Sequence, residues 1–230
     1  MRIAILGGTG DFGRGLALRW AIYHDIIIGS RDRDRAKAFG EKYRQIAEKY
    51  YDKKMEGTLI GDDNFQAVKV SEVVIFSIPH QNLINFSRSI RPLITQDKIV
   101  VSPIVPIEKK SDCFTYNPYQ LNSSLNSPRC ASAAEVISLE LKTKRIVAAF
   151  HTLPAKKLCN LNLDLDYDVI MTGDDDESIK QISELVSQIP NLHPIYAGPL
   201  KTSKLLESLT PMLLNVKLYN KIGELSVKIV

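Results

Sequence analysis

The 230-residue sequence lacks long hydrophobic runs, a signal-peptide pattern and any block of basic residues. Its most apolar stretches, such as residues 73–76 and 99–101, are far shorter than the roughly 18 residues that a membrane-spanning helix needs. The N-terminus passes from Met1 through a short apolar run into Gly7 and Gly8, without a signal-peptide core or cleavage site. We therefore expect no membrane contact and a cytoplasmic location.

Neither the few cysteines nor the small net charge defines a class of protein. The three cysteines are odd in number and form no CxxC pair, so we expect neither a disulfide framework nor a zinc site. The 30 Lys and Arg residues exceed the 26 Asp and Glu residues by only four, and we expect no nucleic-acid partner. The remaining composition, 44% hydrophobic and 24% charged, is that of an ordinary globular protein.

Short β-rich runs alternate with longer segments of helical period. This alternation predicts an α/β fold with a mainly parallel, doubly wound sheet. The first run is apolar after Arg2, as in a strand that is covered on both faces. Helices are expected at residues 12–23 and 36–50, and strands at residues 2–6, 26–28, 58–60, 73–78, 98–101, 146–150, 169–171 and 194–196.

The pattern weakens in the last third of the chain. We predict a large domain of residues 1–150 and a smaller C-terminal lobe of residues 151–230. Residues 117–129 are rich in Asn, Ser and Pro, which is typical of a surface loop. In the apolar segment 205–219, Thr210 and Pro211 have the pattern of an N-cap followed by a first-turn proline, so we expect two helices there.

The strongest motif is a GxGxxG that follows the first predicted strand and opens the first predicted helix. Its first glycine permits a tight turn, its second lets the backbone approach a pyrophosphate, and its third lets helix and strand pack closely. This setting predicts a Rossmann-type fold. We expect a dinucleotide to bind the turn through its pyrophosphate, at Gly8, Thr9, Gly10, Asp11, Phe12 and Gly13.

The end of the second strand indicates which dinucleotide binds. NAD-binding proteins place Asp or Glu there to hold the ribose hydroxyls, whereas this chain has Ser30 and Arg31, with Arg35 one turn further. A hydroxyl and guanidinium groups favour a 2′-phosphate through charge-assisted hydrogen bonds. Asp32 and Asp34 fit either a ribose contact or the first turn of a helix. We predict NADP(H) as the cofactor.

Two other polar features differ in what they predict. The acidic run 174–177 precedes an amphipathic helix, where acids cap free amides, so we expect no metal site. His151 and His80 instead follow predicted strands, and ligands of open α/β sheets bind beyond the carboxyl ends of strands. The loops that carry them are apolar and contain proline, which favours a slot for a flat ring.

Several short motifs occur in order along nearly the whole chain: MRIAILGGTG at 1–10, GSR at 29–31, IP at 78–79, VVSP at 100–103, FTY at 114–116, SAAE at 132–135, HTLPA at 151–155, GDDDES at 173–178, AGPL at 197–200 and ESLTP at 207–211. This series resembles the F420-dependent NADP reductases. The resemblance implies hydride transfer between NADP(H) and the deazaflavin coenzyme F420, with the two rings stacked face to face.

The resemblance also implies a set of residues for each part of the two cofactors. The sequence has no Ser-His-Asp order and no GxSxG motif, so we expect no obligatory acid or base, and His151 would position the deazaflavin ring. The expected contacts are Ser30, Arg31 and Arg35 for the 2′-phosphate, Ile78, Val105 and Ala155 for the nicotinamide, and His151, Leu153 and Leu225 for the deazaflavin.

Two alternatives stay open beside this function. One is an NADPH-dependent reductase of another acceptor, such as a flavin, a metal chelate or an imine. The other is a non-catalytic NADP-sensing module whose C-terminal helices bind a partner. We also expect a homodimer or higher homo-oligomer, because the C-terminal segment carries more apolar residues than a small lobe needs, namely Leu205, Leu206, Leu209, Met212, Leu213 and Val216.

Overall fold

The structure is a computed structural model that describes residues 1–121 and 129–230, apart from the side chains of Lys53 and Arg129. Its strands are β1 Arg2–Leu6, β2 Asp25–Ser30, β3 Leu59–Asp63, β4 Val73–Phe76, β5 Ile99–Ser102, β6 Ile107–Lys109, β7 Phe114–Tyr116, β8 Tyr119–Leu121, β9 Arg129–Ala131, β10 Ile146–Ala148, β11 Tyr167–Gly173 and β12 Leu192–Tyr196. Its helices are α1 Asp11–Trp20, α2 Arg33–Tyr51, α3 Asn64–Val70, α4 Leu83–Ile90, α5 Ala133–Leu141, α6 Ala155–Cys159, α7 Asp176–Ser187 and α8 Ser203–Asn220.

Eight strands form one sheet in the order β12-β11-β10-β5-β4-β1-β2-β3. All neighbouring pairs are parallel except β10 and β11, which run antiparallel. The order reverses at β1, which pairs with β2 on one side and β4 on the other. The predicted α/β class with a mainly parallel, doubly wound sheet is confirmed.

The two faces of the sheet bury separate hydrophobic clusters. Successive residues of a strand point to opposite faces, so Ile3 and Ile5 enter one cluster while Ala4 and Leu6 enter the other. All four side chains are fully buried. A fully buried Ile or Leu contributes about 1.5–3 kcal/mol, which explains why the first strand is apolar throughout.

The C-terminal part of the chain adds β11 and β12 to the same eight-stranded sheet. The sheet therefore runs across residue 150, and the division of the chain at that position stays a prediction. No helix within residues 1–121 and 129–230 is long and apolar enough to span a membrane.

Two local predictions were wrong. Segment 205–219 forms part of one continuous helix, α8, with Pro211 inside it. The Thr210 hydroxyl does not act as an N-cap, because it donates to the carbonyl oxygen of His151. Residues 117–129 are more than a loop, since β8 and β9 pair antiparallel at their two ends. The rest of that segment, 122–128, lies outside the described residues.

Candidate active site

The glycine turn connects β1 to α1 with the geometry that the motif predicts. A Cβ atom on Gly13 would lie 2.6 Å from the Cα of Gly8, so helix and turn can pack this closely only without side chains there. A Cβ atom on Gly10 would meet nothing within 4 Å, which leaves open space over the turn. Gly10 is also the N-cap of α1, without a side-chain cap. The turn thus offers uncapped helix amides beside a space that fits a pyrophosphate.

The open space over the turn belongs to a cavity of about 580 Å³. Thr9 and Gly10 line one end of it, and Ser30, Arg31 and Arg35 line another. A hydroxyl and two guanidinium groups therefore face the same cavity as the glycine turn. This donor set fits a phosphate ester of an NADP-type dinucleotide.

Two other charged residues near the end of β2, Asp32 and Arg33, have partners within the chain. Asp32 is the N-cap of α2, and its carboxylate accepts a hydrogen bond of 3.0 Å from the Arg35 amide. Arg33 forms an ion pair of 2.7 Å with Asp62. The position of Asp32 thus favours its reading as a capping residue, and the cavity keeps Arg31 and Arg35 as its cationic wall.

Three asparagines complete this cavity and were missed from the sequence. Asn64, Asn82 and Asn85 line it together with Phe86. Asn64 is buried, and its Oδ1 atom has no hydrogen-bond partner. It packs so closely on β2 that a Cβ atom on Gly29 would lie 2.6 Å from that oxygen. No sequence motif predicts these amides, because it is the order of the strands in the sheet that brings their segments to the cavity.

A second cavity of about 410 Å³ shares Ser77, Ile78 and Pro79 with the first. It is largely apolar, and it brings together the end of β4, the segment after β5 and the segment after β10. Phe12, Ile78, Val105, His151 and Leu153 all line it. Two of the three residues expected around the nicotinamide are therefore here.

A third, smaller cavity of about 180 Å³ shares His151 and Leu153 with the second. The expected nicotinamide neighbour Ala155 lines this cavity, as does the expected deazaflavin neighbour Leu225. Leu225 comes from the segment after α8, 74 positions from His151 in the printed numbering. The structure thus brings together all the ring-contacting candidates, distributed over two adjoining cavities.

Asp11 has a different position from the other residues of the glycine motif. It begins α1, and its backbone carbonyl oxygen lies 2.9 Å from the Cys159 Sγ, which donates a hydrogen bond to it. Asp11 does not line the three cavities described above. Its acidic side chain in the first turn suits the positive end of the helix dipole.

His151 lines both the second and the third cavity. The side chain is buried, and neither ring nitrogen has a hydrogen-bond partner among the described residues. Burial lowers the pKa of His151 to about 3, so its imidazole is neutral at pH 7. Unpaired polar atoms are costly to bury, and a ligand that hydrogen-bonds the imidazole would remove that cost.

The backbone around His151 is held from two sides. Phe150 adopts a left-handed conformation with φ of 70°, which is costly for a residue with a side chain. Its ring packs edge-on against Trp20, with centroids 5.8 Å apart. The Thr210 hydroxyl donates a hydrogen bond of 2.9 Å to the carbonyl oxygen of His151. The strand predicted at 146–150 ends at Ala148, two residues before this left-handed position.

Glu207 of α8 is a fully buried acidic residue to which the sequence assigns no role. It accepts hydrogen bonds from the backbone amides of Ala133 and Ala134, at the start of α5, and from the Tyr116 hydroxyl. Burial raises the pKa of Glu207 to about 7. The residue joins α8, which carries Thr210, to α5 and β7.

The acidic run 174–177 has the capping role expected of it. Asp175 is the N-cap of α7, where its side chain accepts from the Ser178 amide, and Asp174 accepts from the Leu200 amide. Across residues 1–121 and 129–230, no group of His, Cys, Asp and Glu side chains could hold a metal ion.

Comparison with solved structures defines the fold. An Arthrobacter protein provisionally described as an F420-dependent NADP-reductase superposes with a TM-score of 0.75 at 19% identity, over 100% of this chain and 99% of that chain. An imine reductase from Bacillus cereus superposes with a TM-score of 0.60 at 12% identity, over 96% of this chain and 62% of that chain. Identities this low support the fold alone. With the glycine turn between β1 and α1, that fold is of the Rossmann type.

Comparison of sequences gives the family. The family model described as "NADP oxidoreductase coenzyme F420-dependent" matches residues 2–106. The F420-dependent NADP reductase of Methanocaldococcus jannaschii is 35% identical over 223 residues, which are 96% of this chain and 95% of that protein. The reductase of Methanothermobacter marburgensis is 31% identical over 230 residues, 100% of this chain and 98% of that protein. The chain belongs to the F420-dependent NADP reductase family.

Proposed function

We propose that this chain is an oxidoreductase that transfers a hydride between NADP(H) and the deazaflavin coenzyme F420. The observation that carries the proposal is a series of three adjoining cavities that leads from the glycine turn to His151 and Leu225. Its polar end has the donors for a phosphorylated nucleotide, and its apolar end has walls for planar rings. Identity to F420-dependent NADP reductases along nearly the whole chain supports the same function.

At the nucleotide end, the chain would bind and orient NADP(H). The free amides at the start of α1 would bind the pyrophosphate. Ser30, Arg31 and Arg35 would hold the 2′-phosphate, since each lines the cavity over the glycine turn. A fixed grip on both phosphates leaves the nicotinamide to extend along Ile78 into the apolar cavity.

At the ring end, the residues would align two planes and exclude water. When bound, the two cofactors supply the chemistry, which is hydride transfer between the nicotinamide and deazaflavin rings. Ile78 and Val105 would form one apolar wall, and Ala155 would leave room because its side chain is short. The neutral imidazole of His151 would hydrogen-bond a ring edge and fix its position. Alignment of this kind brings reacting atoms to about 3–3.5 Å.

The test is a spectrophotometric assay with pairs of donor and acceptor. We expect the visible absorbance of F420 to fall when the protein is mixed with NADPH and F420, and to fall far more slowly with NADH. Preferred turnover of a flavin or an imine would identify the chain as a reductase of another acceptor. Tight NADPH binding without turnover of any acceptor would instead identify it as an NADP sensor.

We propose in addition that the protein forms a homodimer through α8. Of the apolar residues of this segment, Leu206 is buried within the chain, whereas Leu205 is 72% and Met212 63% exposed. An exposed apolar helix face is costly in water, and a symmetric partner would cover it. Light scattering should give a dimer for the wild type and a monomer for Met212→Glu. A monomeric wild type at micromolar concentration would contradict the proposal.

A cytoplasmic location completes the proposal. Cys113, Cys130 and Cys159 are all free thiols, and free thiols persist in a reducing compartment. Both cofactors are small soluble molecules. Fractionation of the source cells, with the protein followed by an antibody, should find it in the soluble fraction, and recovery with membranes would contradict this.

A further inference from the structure

The mouth of the third cavity carries an ion pair that the proposed function does not use. Among the described residues that line this cavity, Lys217 and Glu224 are the charged side chains. Lys217 lies in the last turn of α8, and its Nζ donates a hydrogen bond of 2.5 Å to the Glu224 Oε1. Their side chains are 38% and 34% exposed, so the pair lies at the border between the cavity and solvent.

Two further lysines act on the same carboxylate. The hydrogen bond from Lys217 lowers the pKa of Glu224, and the charges of Lys217, Lys156 and Lys157 lower it further. Lys157 is held in place by the Tyr167 hydroxyl, to which its Nζ donates a bond of 2.7 Å. Lys156, its neighbour in α6, is exposed. Three cations thus surround one anion beside a cavity that the rings are proposed to enter.

An exposed ion pair contributes only about 0–1 kcal/mol to stability, so stability does not account for an excess of positive charge at this place. A second feature of the same cavity lies near this excess of positive charge. His151 lines the same cavity with two buried nitrogens that lack partners, which marks the cavity as a ligand site. A ligand that places its ring against His151 would direct its substituents outward, past the lysines.

We propose, on the basis of the proposed function, that Lys217, Lys156 and Lys157 bind an anionic group on the side chain of the deazaflavin, a phosphate or a carboxylate. Glu224 holds Lys217 in place while the site is empty and competes with the incoming anion. The two members of the ion pair therefore have opposite effects on the affinity for a deazaflavin with an anionic side chain. They have no such effect on a deazaflavin that lacks one.

The experiment measures dissociation constants by fluorescence titration with two deazaflavins. One is F420, whose side chain carries anionic groups, and the other is the same ring system with an uncharged ribityl chain. We expect Lys217→Gln to raise the ratio of the F420 constant to the ribityl-deazaflavin constant about 3- to 10-fold. We expect Glu224→Gln to lower this ratio, and Lys180→Gln, an exposed lysine of α7, to leave it unchanged.

The outcomes separate this proposal from the function on which it rests. A ratio that stays the same in Lys217→Gln, or that shifts equally in Lys180→Gln, overturns the anion site. Because binding is measured without turnover, that result leaves hydride transfer untouched. Hydride transfer is tested separately, by turnover of F420 in the same preparations. A ratio that rises less with added salt in Lys217→Gln than in the wild type also supports the site, since salt screens the attraction between the exposed lysines and the anion.

Discussion

The nucleotide end and the ring end of the site are built in different ways. The glycine turn and the residues at the end of β2 come from two consecutive strand–helix units. Each of these two groups lies within a single short stretch of the sequence. The ring end instead joins Ile78, Val105, His151 and Leu225, which lie on segments far apart in the sequence. Local backbone geometry is enough to form a phosphate-binding turn, whereas an apolar cavity for the rings requires the whole tertiary structure.

The two ends also differ in electrostatics. Arg31 is exposed at the nucleotide end, where charge can be used against a charged ligand. His151 at the ring end is buried so completely that its pKa falls to about 3. The nucleotide end depends on charge and the ring end on shape. Substitutions at the nucleotide end should therefore change NADP(H) affinity, and substitutions at the ring end should change the rate of hydride transfer.

The largest effect is expected at the ring end. Ala155→Leu should lower the single-turnover rate of hydride transfer about 100-fold or more, because a displacement of about 1 Å between reacting groups costs that much. NADP affinity, measured by calorimetry, should remain within about threefold, since the phosphate grip is untouched. Ala155→Ser is the matched control and should retain most of the rate. An unchanged rate in Ala155→Leu would place the rings elsewhere.

The reverse pattern is expected at the nucleotide end. Arg31→Ala should weaken NADPH about 10- to 150-fold, the loss of one charge-assisted phosphate contact, and change NADH binding little. Arg33→Ala removes the same charge two positions on, from a side chain that is paired with Asp62, and should have a small effect. If both variants weaken NADPH and NADH equally, the residues at the end of β2 do not recognise the 2′-phosphate.

The third prediction concerns His151. His151→Asn should lower turnover about 10- to 100-fold, a barrier change of about 1.4–2.7 kcal/mol, because an amide keeps part of the hydrogen bonding. The loss should be the same at pH 6 and pH 8, since the wild-type imidazole is neutral at both values. A loss that disappears at pH 6 would mean that a proton on His151 takes part in the reaction.

The sequence predicts the features of the site that depend on local geometry and misses those that depend on tertiary contacts. The glycine turn is predictable because Gly8 and Gly13 are required by close contacts within the turn itself. The continuity of α8 is not, because only the tertiary contact between Thr210 and His151 removes the reason for an N-cap at Thr210. Asn64 and Glu207 were missed for the same cause. Glu207 finds its partners in α5 and β7, and the cavity that Asn64 faces is lined by segments distant from it in the sequence.

The smallest expected effect is on stability and concerns Glu207. Its pKa of about 7 lies above the ordinary value of 4.5, so the folded protein holds a proton that the unfolded chain has released between these two pH values. The free energy of unfolding should therefore fall as pH rises from 5 to 8, by on the order of 1–2 kcal/mol from this residue. In Glu207→Gln this contribution should vanish.

Urea unfolding of the two proteins at pH 5 and pH 8 measures the difference. His151 titrates in the opposite sense, with stability lost as pH falls below 6.5, but it is present in both proteins and cancels. Tyr116 and Glu135 face Glu207 and are likewise shared. Parallel pH dependence in the wild type and Glu207→Gln would show that Glu207 is ionised in the folded state throughout this range.

The central claim is that hydride passes directly between two rings held in one slot that excludes water. The most direct test uses NADPH carrying deuterium at the transferable position of its nicotinamide, mixed with the protein and F420 in ordinary water. Mass spectrometry of the reduced F420 should find the deuterium in the deazaflavin ring after a single turnover. Reduced F420 without deuterium would contradict direct transfer, and with it the assignment of the ring slot.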